Sequence, residues 1–155
     1  MEELDLSHNH LKCLNRSLLP LKKLKSVSFA FNQMEEFSIS EIRDLQYLRS
    51  LDLSHNQIQK LTGRKENLIE PNSFLVDLQL HHNLLRSLDG ALMGLNKLRI
   101  LSLTHNQIER ILPDDFIGLE SLEILDLSHN QLLSLEETST VSFYSYLDEK
   151  KQEFF

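Results

Sequence analysis

At 155 residues, 41% of them hydrophobic, the chain has room for one domain or one short repeat array and enough apolar side chains to bury a core. Its 23 acidic against 16 basic residues leave a formal charge of −7 at pH 7, which repels phosphate backbones and makes nucleic acid a poor partner. A single cysteine, Cys13, excludes an internal disulfide and a cysteine-built zinc cluster, and without an apolar run of about 18 residues or a basic-then-apolar leader the chain itself is not expected to enter a membrane.

The first element begins at once. Met1–Leu11 reads Met-Glu-Glu-Leu-Asp-Leu-Ser-His-Asn-His-Leu, and it returns, more weakly, as Leu24–Met34, then as Leu48–Ile58, again weakly as Leu75–Leu85, and as Leu98–Ile108 and Leu122–Leu132. The repeated asparagines Asn9, Asn32, Asn56, Asn83, Asn106 and Asn130 are spaced 23, 24, 27, 23 and 24 residues apart. Six in-register copies of an eleven-residue Leu-x-x-Leu-x-Leu-x-x-Asn-x-Leu pattern do not arise by accident.

Most copies carry two leucines one residue apart: Leu4 and Leu6, Leu51 and Leu53, Leu101 and Leu103, Leu125 and Leu127. Side chains alternate along a strand, so both leucines point to one side of a short strand. One such rung cannot cover its own apolar side. Stacking successive rungs as a parallel sheet, about 4.8 Å apart, closes a continuous core. The asparagine follows the strand, where the chain turns, and a buried carboxamide carries both donors and an acceptor for turn backbone groups, so the asparagines are read as a structural ladder. Leu14, Phe37, Leu61, Leu88, Ile111 and Leu135, then Leu21, Leu45, Phe74, Leu95 and Leu119, are expected to line the return path of the coil.

The 27-residue spacing implies about three extra residues around Thr62–Pro71, placed in a surface loop. After Leu135 the repeat decays. The chain therefore divides into an array of six strand rungs over 1–137 and a tail over 138–155, a partial cap or a truncated repeat. Met1 starts in mid-repeat, so the chain reads as a piece of a longer array, and uncapped ends would favour self-association.

This pattern resembles the leucine-rich-repeat family from Met1 to about Leu135. The period near 24, with stretches such as Leu112-Pro113-Asp114-Asp115-Phe116-Ile117-Gly118-Leu119, is similar to the subclass found in animal extracellular proteins such as Toll-like receptors, Slit and adhesion ectodomains. The resemblance implies an α/β solenoid: a horseshoe segment with a short-stranded parallel sheet on its concave face and irregular or short helical segments on its convex face. It also implies a protein-binding module, without a cofactor, in a secreted or cell-surface receptor or adhesion protein. An intracellular scaffold or regulatory subunit in the cytoplasm is the alternative reading.

Residues flanking the inward leucines face the concave surface in columns. One column reads Asp5, Ser28, Asp52, Gln79, Ser102 and Asp126; the other reads Glu3, Ser26, Ser50, Asp77, Ile100 and Ile124. Their negative charge favours a protein ligand with a basic surface, although solvated strand residues are charged in any protein. Ile100, Ile124 and Phe31 are candidate apolar anchors within a polar rim. The candidate ligand-binding set is accordingly Asp5, Phe31, Asp52, Asp77, Gln79, Ile100, Ile124 and Asp126.

No catalytic residue is assigned. Paired carboxylates need a pocket that separates their pKa values, and Ser7-His8 or Ser54-His55 are sequence neighbours, not a nucleophile held against an oriented base. His8, His55, His82, His105 and His129 should align in a column interrupted by Phe31, but a line of like groups does not converge on a metal ion, so none is called a ligand. Asn15-Arg16-Ser17 matches the N-glycosylation acceptor pattern, which chance alone would supply about once in a chain of this composition.

Overall fold

A computed structural model describes residues 1–63 and 74–133. Six three-residue strands form one parallel sheet: β1 (Glu3–Asp5), β2 (Ser26–Ser28), β4 (Ser50–Asp52), β6 (Asp77–Gln79), β7 (Ile100–Ser102) and β8 (Ile124–Asp126), paired in that order. Leu4, Val27, Leu51, Leu78, Leu101 and Leu125 occupy one register across all six. Each rung contributes the same few apolar side chains to a common interior, where Leu24, Leu51, Leu53, Leu78, Leu80, Leu98, Leu101 and Leu103 are wholly buried. Leu4, Leu6, Leu127 and Leu132, in the first and last rungs, are only partly covered, because a rung buries its leucines against neighbours on both sides.

The asparagines stitch rung to rung. Asn83 Nδ2 donates to Leu80 O in its own turn (3.0 Å) and to Leu53 O in the preceding rung (2.9 Å), while its Oδ1 accepts from Ile58 N (2.9 Å). The same three bonds recur at Asn32, Asn56, Asn106 and Asn130. Asn9, with no described rung before it, is exposed and donates to Leu6 O and Ser7 O in its own turn.

The outer side carries the short helical segments expected of it: among the described residues these are two 3-10 turns, Ile39–Glu41 and Pro113–Phe116. Asp115 closes the latter: its carboxylate, fully buried, accepts from Leu112 N (2.7 Å) and from Gly90 N in the preceding rung (2.8 Å). Two features depart from the sequence expectation. First, β3 (Glu36–Ser38) and β5 (Lys60–Thr62) pair as a second parallel sheet, with Phe37 and Leu61 turned inward. Three-residue segments such as Glu-Phe-Ser and Lys-Leu-Thr are too short to show alternation, so nothing in the pattern marks them. Second, Phe74 is only half-buried and lies 5.2 Å below the Arg49 guanidinium, while Leu75 beside it, the first leucine of its copy, is buried.

Neighbouring rungs also meet backbone to backbone. Gly118 has φ +77°, and a Cβ there would lie 2.9 Å from Gly94 Cα and N, so only glycine allows that approach. Thr62 and Gly63 are the described part of the expected insertion; its remainder, Leu135 and the tail over 138–155 lie outside the described residues.

Candidate functional site

The strand register places the flanking residues in two columns on the concave sheet. Glu3, Ser26, Ser50, Asp77, Ile100 and Ile124 are successive partners, as are Asp5, Ser28, Asp52, Gln79, Ser102 and Asp126. Ile100 and Ile124 are therefore direct neighbours; Ile100 is half-buried and Ile124 is 51% exposed. Three carboxylates in the second column are partly engaged with their own turns, since Asp5, Asp52 and Asp126 Oδ1 each accept from the backbone N two residues on, at 2.9 Å. Hydrogen bonding from the Ser7 and Ser128 side chains, with these backbone bonds added, favours the ionised form and holds the Asp5 and Asp126 carboxyls below the usual aspartate range. Asp77 Oδ1 accepts from Gln79 Nε2 at 2.6 Å, which joins the two candidates across one strand.

Cations border this face but are turned to other partners. Lys25 Nζ is 2.8 Å from Glu2 Oε2, and the Arg99 guanidinium holds the Glu123 carboxylate through two hydrogen bonds. Arg49 Nη1 donates to the carbonyls of Gln46, Leu48 and Phe74. The carboxylates of the central columns thus present their charge outward.

At the strand exits stands a ladder of rings. His8, Phe31, His55, His82, His105 and His129 all have φ between +52° and +56°, a left-handed backbone that normally favours glycine or asparagine. Holding the same backbone in every rung points six rings the same way, and adjacent centroids are 4.1 to 4.4 Å apart with planes within 23°. Phe31 does not interrupt the column; it stacks between His8 and His55 while remaining 44% exposed. His81, which the spacing of the repeat does not single out, sits edge-on to both His55 and His82. The doublet His81-His82 is the only sequence sign of it. No described cluster of three or more His, Cys, Asp or Glu side chains has the geometry of a metal site.

The stack disfavours imidazolium. Burial lowers the pKa of His55, reinforced by His81 and opposed by Asp52; burial also lowers His81, opposed by Asp52 and Asp126; desolvation lowers His105, reinforced by His129 and His82. The unfolded chain then binds more protons than the folded one, so stability is full above about pH 6.5 and falls as pH drops through the lower folded values. Asp115 works in the opposite direction, because burial raises its pKa and protonation of the folded form is favoured on acidification. The lowered Asp5 and Asp126 carboxyls act with the three histidines and against Asp115, so acidification is expected to cost stability. The melting temperature is expected to fall between about pH 7.5 and about pH 5.5, and His105→Asn, which suits the left-handed backbone, should flatten that slope. A melting curve independent of pH across this range would contradict the stacked column.

Of the remaining candidates, Asn15 is exposed on the outer flank of the first rung, away from the concave columns.

Comparison with known proteins follows the repeat. A family model described as leucine rich repeat matches residues 1–58 and 73–132, and a second of the same description matches residues 47–71. The chain is 40% identical to Podocan-like protein 1 of Mus musculus over 110 residues, covering 68% of this chain and 19% of that protein. It is 35% identical to Tsukushi of Mus musculus over 118 residues (75% of this chain, 33% of the relative) and 34% identical to Lumican of Gallus gallus over 110 residues (68% and 31%). The chain thus spans a third or less of the length of these relatives. Among solved structures, the leucine-rich repeat domain of APL1 superposes with a TM-score of 0.70 at 25% identity, covering 94% of this chain and 36% of that one.

Proposed function

The chain belongs to the leucine-rich-repeat family and resembles its animal extracellular members, and from that membership we propose that it is a binding segment of a secreted or cell-surface receptor or adhesion protein, holding a protein ligand on its concave sheet. The observation that carries this reading is the pairing of an apolar spot with outward negative charge. Ile100 and Ile124 supply an anchor of the kind that concentrates binding energy; Asp77 and Asp126 adjoin it, and Asp52 and Asp5 carry the negative charge on along the columns toward β1, while the bordering Lys25 and Arg99 are held by Glu2 and Glu123. A ligand with lysine or arginine side chains flanking an apolar residue complements that surface. Phe31 and Gln79 extend the proposed contact toward the ring ladder and across β6.

Binding is the proposed activity, with no catalytic residue assigned. The concave sheet is an open surface, and dividing acid and base roles between two carboxylates needs an enclosing pocket.

The test is selection of displayed random peptides on the immobilised chain, followed by affinity measurement on variants. Selected peptides should be rich in lysine or arginine with an apolar residue among them. Ile124→Ala should weaken them about tenfold, or about 1.4 kcal/mol, and Asp52→Lys should weaken them further at low salt than at high salt. Peptides that bind the parent and both variants alike would place the ligand on another face.

A further inference from the structure

We propose that Asn15 is an N-glycosylation site whose first sugars lie over the unpaired edge of β3 and shield Cys13; this rests on the extracellular reading above, since the reaction belongs to the lumen of the secretory pathway.

The acceptor pattern Asn15-Arg16-Ser17 has a setting that the sequence does not reveal. Leu14 is buried, so its neighbour Asn15 points outward, and Asn15 and Arg16 follow it as two left-handed residues, φ +49° and +60°, forming an exposed corner. Ser17 N–H donates back to Leu14 O (3.0 Å) and Arg16 N–H donates to Glu41 Oε2 (2.8 Å), so the corner is anchored to the next rung through a side chain. Neither bond uses the Asn15 carboxamide. Its Nδ2 donates to Cys13 Sγ at 3.2 Å.

Beside it the outer sheet is incomplete. β3 pairs with β5 on one side only, and on the other side it faces Cys13–Asn15, which form no strand. The gap is a pocket of about 130 Å³ open to solvent, with Met34 and Phe37 at its base and Ser38, Glu41 and Thr62 at its rim. An apolar floor ringed by hydroxyl and carboxylate groups suits a sugar ring, which offers a C–H face and a hydroxyl periphery. A bulky hydrophilic cover also answers the exposed edge, since an unpaired strand invites pairing with another chain.

In the reaction, Asn15 Nδ2 forms a bond to the anomeric carbon of an oligosaccharide carried on a lipid diphosphate. The bond from that carbon to the diphosphate oxygen breaks, and one amide proton leaves with the released lipid diphosphate. The amide keeps its other N–H, which can still donate to Cys13 Sγ. The glycan then stands over the only thiol of the chain, at the flank opposite the proposed ligand face, and leaves the concave columns open.

The experiment expresses the whole 155-residue chain in mammalian cells behind an added secretory leader, so entry to the lumen is supplied and the result bears on the site, not on the native location of the protein. Treatment with peptide N-glycosidase should lower the mass to that of one bare chain and convert Asn15 to Asp in its tryptic peptide. Asn15→Gln and Ser17→Ala should each abolish the shift, and Ser17→Thr should keep it. Maleimide labelling of Cys13 should be about tenfold slower in the glycosylated protein than in Ser17→Ala, and should recover after deglycosylation. Secreted protein with unmodified Asn15 would overturn the site. A glycan at Asn15 with Cys13 labelled at the bare rate would overturn the seating over β3. Failure of the extracellular reading would register separately, as a native reading frame whose product stays in the cytosol.

Discussion

Leu103→Asp is expected to unfold the solenoid, while Ile124→Asp leaves its melting temperature within a few degrees of the parent. Leu103 follows β7 and is wholly buried between the rungs of Leu80 and Leu127, whereas Ile124 opens β8 on the other side of the same sheet and is 51% exposed. A carboxylate at Leu103 would stand in the apolar core cluster and must be buried unpaired or neutral, at several kcal/mol, and the shorter side chain also gives up the apolar packing that the leucine provides. That is comparable with the whole stability of a domain this size. At Ile124 the new charge meets water, and surface substitutions of this kind shift stability by about half a kcal/mol. Circular dichroism melts of the two variants decide the matter. Equal loss of structure in both would mean that the columns are displaced by one residue, because a one-residue slip exchanges the two sides of every strand.

Asn83→Ala should cost about 2 to 4 kcal/mol, and Asn9→Ala less than about 1 kcal/mol. The two asparagines occupy equivalent positions, so propensity and side-chain loss are the same. They differ in partners. Truncating Asn83 leaves the Ile58 N–H and the Leu53 and Leu80 carbonyls without it, in a region where Leu53, Ile58 and Leu80 are all fully buried. Truncating Asn9 takes one donor from Leu6 O, which keeps Asn32 Nδ2 at 2.9 Å, and one from Ser7 O, both beside solvent. Urea titrations of both variants measure the difference directly. Similar losses would mean that the asparagines act through their own turns and not by joining rungs.

Most of the architecture was legible because it repeats. The spacing of six asparagines and the leucine pairs establish a stacked sheet, and strand alternation puts Ile100 beside Ile124 and Asp5 in line with Asp52 and Asp126, as the pairing register has them. What escaped the sequence is structure that depends on a single rung or on backbone geometry. β3 and β5 are too short to carry a period, and the bond from Gly90 N to Asp115 joins residues 25 apart with no motif to announce it. The rings were legible as a column but not as a stack, since stacking needs the left-handed backbone that only the folded turns impose. Phe31 shows the difference: by residue type it breaks a row of histidines, and by geometry it continues a row of rings.

The stitching of each rung to the one before it also bears on mechanics. Contacts run between adjacent rungs, so a tensile load on the chain is not shared by a remote core but falls on the outermost rung still in place. When that rung peels away it releases about 24 residues, or about 80 Å of extended chain, and exposes the next to the same load. Such a solenoid yields in even steps of length, lengthening by whole turns under a pull that would leave a globular domain either intact or lost.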